Sequence, residues 1–101
     1  MTAASDLAED DVAVIAETFR LLGDPTRLRI LLACLDMPRP VAGIAAATGA
    51  SPSLVSHHLR LLRAARLVRG VRESRQVIYH AADEHVSHML RDIIAHTGEE
   101  H

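Results

Sequence analysis

The chain has 101 residues, 11 basic side chains against 13 acidic ones, a formal net charge of −2 and 7 histidines. That length suits one domain, since most fall at ~100–150 residues, and 49% hydrophobic with 24% charged residues allows a packed core rather than disorder. No apolar run approaches the ~18–20 residues that span a bilayer, and no basic, apolar leader opens the chain, so a cytoplasmic protein without a membrane partner is expected.

From Asp11 to Leu22 the apolar residues Val14, Ile15, Phe19 and Leu22 recur at helical spacing and predict a first helix, stopped by Gly23. Asp24-Pro25, an acidic N-cap followed by proline at the first helical position, opens a second helix that runs to about Leu35. Met37-Pro38-Arg39-Pro40 breaks it. A short third helix covers Val41 to Thr48 and ends at Gly49. Ser51-Pro52 repeats the capping signal and opens a fourth helix to about Ala64.

Two β-prone runs, Leu67 to Val71 and Gln76 to His80, flank the charged turn Arg72-Glu73-Ser74-Arg75 and predict a hairpin. Asp83 caps a last helix with the apolar stripe Val86, Met89, Leu90, Ile93 and Ile94, ending near Gly98. The expected order is ααααββα, mainly α with a β-hairpin, in one domain over 1–101 whose ends, 1–10 and 99–101, fray. With Phe19 and Tyr79 the only aromatic residues, the core has to be aliphatic. The single cysteine, Cys34, excludes an intrachain disulfide and any multi-cysteine zinc cluster within one chain.

The charge of −2 conceals a segregation. Residues 1–11 carry a net −4, residues 51–75 a net +5 from six arginines against Glu73, and residues 83–101 a net −4. A local excess of arginine in an acidic chain is either a phosphate-binding stripe or a solvated helix face, and charge alone does not separate the two.

The third and fourth helices, joined at Gly49-Ala50-Ser51, form a helix-turn-helix candidate. Small Ala45 sits where the helices cross, Gly49 where a positive φ is expected, and apolar Val55 faces back to the third helix. A hairpin directly after the second helix of such a pair is the wing of a winged helix. In that reading Ser53, Ser56, His57 and Arg60 face the major groove of double-stranded DNA, and Arg72 and Arg75 lie at the wing tip against phosphates. The plainer reading makes Ser53 and Ser56 first-turn caps and His57 and His58 an exposed polar pair.

On Phe19-Arg20-Leu21-Leu22-Gly23-Asp24-Pro25-Thr26-Arg27-Leu28-Arg29-Ile30-Leu31, on Ser53 through Leu62 and on Gly70 through Tyr79, the sequence resembles the ArsR/SmtB family of bacterial metal-sensing repressors, over about residues 12–100. The resemblance implies a winged helix-turn-helix homodimer, built through the first and last helices, that binds an imperfect operator palindrome. The last helix fits this, because its apolar stripe has too little protein around it for burial within one chain.

The arsenic, lead and cadmium sensors of that family use cysteine pairs near the third helix, where this chain reads Arg39-Pro40-Val41-Ala42-Gly43. Cys34 is therefore expected to be a core residue. The last helix instead carries Asp83 and His85 at its start and His96 and Glu99 at its end. His85 and His96 are ~20° apart around the axis but ~16 Å apart along it, too far to share one ion. Two such helices antiparallel across a two-fold axis would bring Asp83 and His85 of one protomer to His96 and Glu99 of the other. Two nitrogens and two oxygens suit tetrahedral Zn(II).

The resemblance to the zinc-sensing branch implies the same four ligands, with His96 also bonded to backbone near Leu62 to Arg66. His80, His88, Glu100 and His101 are further candidates, and Ni(II) or Co(II) is the alternative metal. The plain alternative leaves all of them as solvated polar residues. The implied function is repression by the metal-free dimer and release of operator DNA on metal binding, derepressing efflux or sequestration genes; a winged-helix regulator that senses no metal is the other reading. No nucleophile–base pair or phosphate-cradling glycine loop suggests an enzyme.

Overall fold

The computed structural model describes residues 3–99, and within them the order ααααββα holds, preceded by a 3-10 turn at Ala4–Asp6. Helix α1 spans Glu9–Leu22, α2 Pro25–Ala33, α3 Val41–Thr48, α4 Pro52–Ala64 and α5 Glu84–Glu99. Strands β1 (Val68–Glu73) and β2 (Gln76–Ala81) pair antiparallel between α4 and α5.

Helices α2, α4 and α5 each begin at a capping side chain. The Asp24 carboxylate accepts from the N–H groups of Thr26 and Arg27 at 2.9 and 3.1 Å, with Pro25 at the first helical position. Ser51 Oγ accepts from the Leu54 N–H at 3.1 Å ahead of α4, and Asp83 Oδ1 from the Val86 N–H at 3.0 Å ahead of α5. Helix α1 starts two residues before Asp11, so that Glu9, Asp10 and Asp11 all lie in its first turn, against the positive end of the helix dipole.

Helix α2 ends at Ala33 rather than Leu35. Cys34 and Leu35 continue as tighter turns, donating to the Leu31 and Leu32 carbonyls at 3.0 and 3.1 Å. The Ala33 carbonyl, orphaned at the helix end, accepts from Arg39 Nε at 2.7 Å.

The hairpin is longer and its turn shorter than the sequence predicts. Arg72 and Glu73 pair with Val77 and Gln76 inside the ladder, which leaves Ser74 and Arg75 as the turn, with Ser74 at φ 57°. Leu67 precedes the ladder and ties the hairpin to its neighbours: its N–H donates to the Leu62 carbonyl at 2.8 Å and its carbonyl accepts from Ala82 at 3.0 Å. Strand β2 pairs on its other edge as well. The Tyr79 N–H donates to Arg39 at 2.8 Å and the Arg39 N–H to Tyr79 at 3.1 Å, fixing the α2–α3 loop against the hairpin.

The core is aliphatic, as the composition requires. Ile30 and Leu31 of α2, Ile44 of α3, and Val55, Leu59 and Leu62 of α4 are buried together, with Leu21, Leu67, Val68, Val86 and Leu90 around them. Cys34 belongs to this core, and burial pushes its thiol up to about 11. Phe19 does not: the only phenylalanine is 56% exposed.

Gly49 ends α3 at φ 78°, and an added Cβ there meets nothing within 4 Å. Gly49→Ala therefore isolates the backbone cost of the left-handed conformation, about 1–2 kcal/mol, and urea unfolding should read a loss of that size with an unchanged m-value.

Candidate nucleic-acid interface and last-helix donor set

Helices α3 and α4 pack closely at Ala45 and Val55, the latter fully buried, so the opposite face of α4 is left outward. Ser53, Ser56, His57 and Arg60 are all exposed there. Ser53, Ser56 and Arg60 follow one stripe at steps of three and four residues. Arg72 and Arg75 are exposed at the far end of the hairpin, Arg75 in the turn and Arg72 two residues before it in β1.

His58 departs from the exposed pair. It is buried at 7% exposure on the inner face of α4, and its Nδ1 accepts from Arg27 Nε at 3.3 Å. The same guanidinium donates through its other arm to the Leu21 carbonyl at the end of α1, at 3.1 Å. Burial first, then the Arg27 charge and His57, hold the His58 imidazole below its ordinary value, with Asp24 opposing them. The neighbouring His57 ring meets it edge-on at 5.2 Å. Two adjacent histidines thus have opposite surroundings, because a helix turns ~100° per residue.

Arg63 and Tyr79 were not among the residues singled out from the sequence. They line a cleft of about 190 Å³ between α4 and the hairpin, together with Ser56, Leu59 and Arg60. Arg63 was accessible to sequence reasoning, since it lies seven residues after Ser56 and three after Arg60 on one helical face. Tyr79 was not, because only the strand register and the Arg39 pairing bring it there.

The four last-helix donors, Asp83, His85, His96 and Glu99, are all exposed. Among the described residues no three His, Cys, Asp or Glu side chains are grouped closely enough to hold a metal ion. The chain keeps the two candidate pairs at opposite ends of α5, as the ~16 Å spacing demands. His80 lies in β2 and His88 is exposed on α5, while Glu100 and His101 are outside the described residues. From residue 91 to 99 every side chain of α5 is exposed, Ile93 and Ile94 included. The body holds this half of the helix through Arg91, which donates to Asp36 Oδ1 at 3.2 Å and to the Leu35 carbonyl at 3.3 Å.

A crossed helix pair with its second helix presented outward, followed by an arginine-edged hairpin, defines a winged helix-turn-helix DNA-binding protein. Residues 24–69 match the family described as bacterial regulatory protein, arsR family. The chain belongs to this ArsR family, whose members are DNA-binding transcriptional regulators and not enzymes. A transcriptional repressor SmtB homolog of Synechocystis sp. is 42% identical over 90 residues, 89% of this chain and 68% of that protein.

Among solved structures, the cadmium metal-sensor CMTR of Mycobacterium tuberculosis is 43% identical, with a TM-score of 0.69 over 78% of this chain and 82% of that one. The homodimeric winged helix-turn-helix DNA-binding domain of a possible ArsR-family transcriptional regulator from Mycobacterium bovis is 29% identical. Its TM-score is 0.78, over 95% of this chain and 94% of that one. The chain spans 62% of the length of one curated repressor that it matches and 82% of that of one curated regulator.

The lowered His58 value gives a pH dependence of fixed sign. Below the ordinary histidine range, about pH 6.5, the unfolded chain takes up a proton that folded His58 resists. Its contribution is thus complete above that pH and is lost as pH falls through the depressed value. Thermal melts from pH 7.5 to 5 should show His58→Gln losing less stability on acidification than the native chain; parallel curves would remove His58 as a source of acid sensitivity.

Proposed function

We propose that the chain is a cytoplasmic, metal-responsive transcriptional repressor that works as a homodimer. The metal-free dimer binds operator DNA and is released by Zn(II), derepressing genes for metal efflux or sequestration. The observation that carries this reading is the placement of Asp83 and His85 at one end of an exposed helix and His96 and Glu99 at the other, a donor set that one protomer cannot close.

The apolar faces of α1 and α5 support a second copy as the missing half. Val12, Val14, Ile15 and Phe19 on α1 and Ile93 and Ile94 on α5 are between 43% and 67% exposed. Covering the remaining half of such side chains contributes roughly 1 kcal/mol each, and the Mycobacterium bovis relative is itself homodimeric. No helix among the described residues is long and apolar enough to cross a membrane.

The donor set fits Zn(II). Asp83 uses one oxygen as the cap of α5, leaving the other for a partner. With His85 it would hold the ion together with His96 and Glu99 of the second protomer, two nitrogens and two oxygens in a tetrahedral site. Ni(II) or Co(II) is the second reading, favoured by His88, exposed on α5 one turn beyond His85. A thiolate site like those of cadmium chemistry is disfavoured here, since the lone Cys34 is buried with its thiol raised to about 11. Joining the two α5 helices fixes the angle between the two α4 helices. An angle mismatched to the half-site spacing weakens operator binding, typically by ~1–3 kcal/mol or about 5–150-fold.

Operator binding measured with and without one equivalent of Zn(II), Ni(II) or Co(II) per protomer tests partner, direction and metal together. Zn(II) should release the native dimer. His96→Gln should bind the operator normally and stay bound with Zn(II); release of this variant at native Zn(II) concentrations would overturn the assigned site. Co(II) titration should give a tetrahedral visible spectrum without thiolate charge transfer.

A further inference from the structure

Four arginines are spent on the fold. Arg20 pairs with Glu17, Arg27 bonds His58 and the Leu21 carbonyl, Arg39 bonds the Ala33 carbonyl, and Arg91 bonds Asp36 and the Leu35 carbonyl. Arg60 and Arg63 do none of this: no carboxylate or carbonyl partner is described for either, although both line the same cleft between α4 and the hairpin. Two guanidinium groups sharing a cleft repel one another, and the one acid of residues 51–75, Glu73, lies at the far end of β1. The cleft is short of an anion.

Tyr79, which lines the cleft together with Ser56 and the two arginines, is held in place from two directions. Its backbone is bonded on the outer edge of β2 to Arg39, at 2.8 and 3.1 Å. Its ring lies over Gly70, where an added Cβ would come within 3.4 Å of the ring and 2.7 Å of Val77. The ring thus lies within ordinary contact distance over Gly70, whose missing side chain chiefly leaves room for Val77. Its hydroxyl takes part in none of the described hydrogen bonds, and Leu59 supplies an apolar wall beside the charges.

We infer that Arg60, Arg63 and Tyr79 form a clamp for a backbone phosphodiester of the DNA duplex, beside the base-reading start of α4; Arg60, which the sequence alone suggested for the major groove, belongs to the clamp. The inference rests on the DNA-binding reading above and gives this surface a division of labour. The N-terminal turns of a recognition helix point at base edges, whereas its later turns rise out of the groove past the strand. At that height the passing group is a phosphate, which a guanidinium can take with two parallel hydrogen bonds and a phenol with one. Such contacts set register and orientation and carry no base preference.

The test is binding to a fluorescein-labelled mixed-sequence duplex of 30 base pairs, followed by anisotropy from about 50 to about 200 mM NaCl. Each lost phosphate contact lowers the slope of log K against log salt by ~0.9, so Arg63→Gln should lower it by ~2 for a dimer and weaken binding at least about tenfold at fixed salt. Arg63→Lys should keep the slope while losing part of the affinity, and Tyr79→Phe should weaken binding at unchanged slope. Arg29→Gln, an exposed arginine of α2 outside the cleft, is the control and should leave the slope as it is.

A folded Arg63→Gln protein with the native slope, or an Arg29→Gln protein that loses as much, overturns the clamp. If the native chain binds no duplex at all, the DNA-binding reading itself falls, which is a different and visible outcome.

Discussion

The arrangement of the reading surface depends on one guanidinium. Arg27 stands in the first turn of α2, whose start is fixed by the Asp24 cap. From there it reaches back to the Leu21 carbonyl at the end of α1 and across to the buried Nδ1 of His58 on α4. Three helices meet at a single planar group that is always charged. Together with the buried Ile30, Leu31, Leu59 and Leu62 it ties α4 to α2, and so holds the outward direction of Ser53, Ser56 and His57. The cost is a histidine that has to stay neutral in order to accept, which is why burial and the neighbouring cation act on His58 in the same sense.

Where a local signal decides structure, the sequence was legible. Asp24-Pro25 and Ser51-Pro52 start helices because side-chain oxygens and a fixed proline φ act within four residues, and Gly49 turns the chain because it lacks a Cβ. Cys34 in the core and Val55 against α3 followed from helical periodicity. What failed to show was long-range. His58 stands three residues after Val55 and four before Leu62, on the apolar stripe of α4, so periodicity pointed to its burial; its partner Arg27, 31 residues away, did not show. The end of α2 was misplaced for a similar reason: the Arg39 side chain, six residues on, closes the Ala33 carbonyl early. The hairpin turn narrowed to Ser74-Arg75 because cross-strand pairing kept Arg72 and Glu73 in the ladder.

The candidate site divides along the same line. Exposure of Ser53, Ser56, His57 and Arg60 follows from which face of α4 is apolar, so those positions could be named from periodicity alone. Tyr79 could not, because its place depends on the strand register and on the Arg39 pairing at once. The net charge of −2 was similarly uninformative as a sum. Arginines that hold the fold bond carboxylates or carbonyls, while among the described residues the side chains of Arg60 and Arg63 make no such bond, and it is such free charges that determine what the molecule attracts.

The first and last helices carry the remaining constraint. An amphipathic helix is stable when its apolar stripe is covered, yet α1 buries only Leu21 and the last nine residues of α5 bury nothing within the chain. The proposed metal donors lie on that same uncovered stretch and its opposite end, ~16 Å apart. Both deficits, apolar surface without cover and ligands without partners, arise on one element and call for one remedy. A second copy packed along α5 would cover Ile93 and Ile94 and carry His96 and Glu99 toward the other protomer's Asp83 and His85. The dimer and the metal site are therefore a single proposal in physical terms: an arrangement of α5 that satisfied the apolar stripe but left the donor pairs apart would be a stable dimer with nothing to sense.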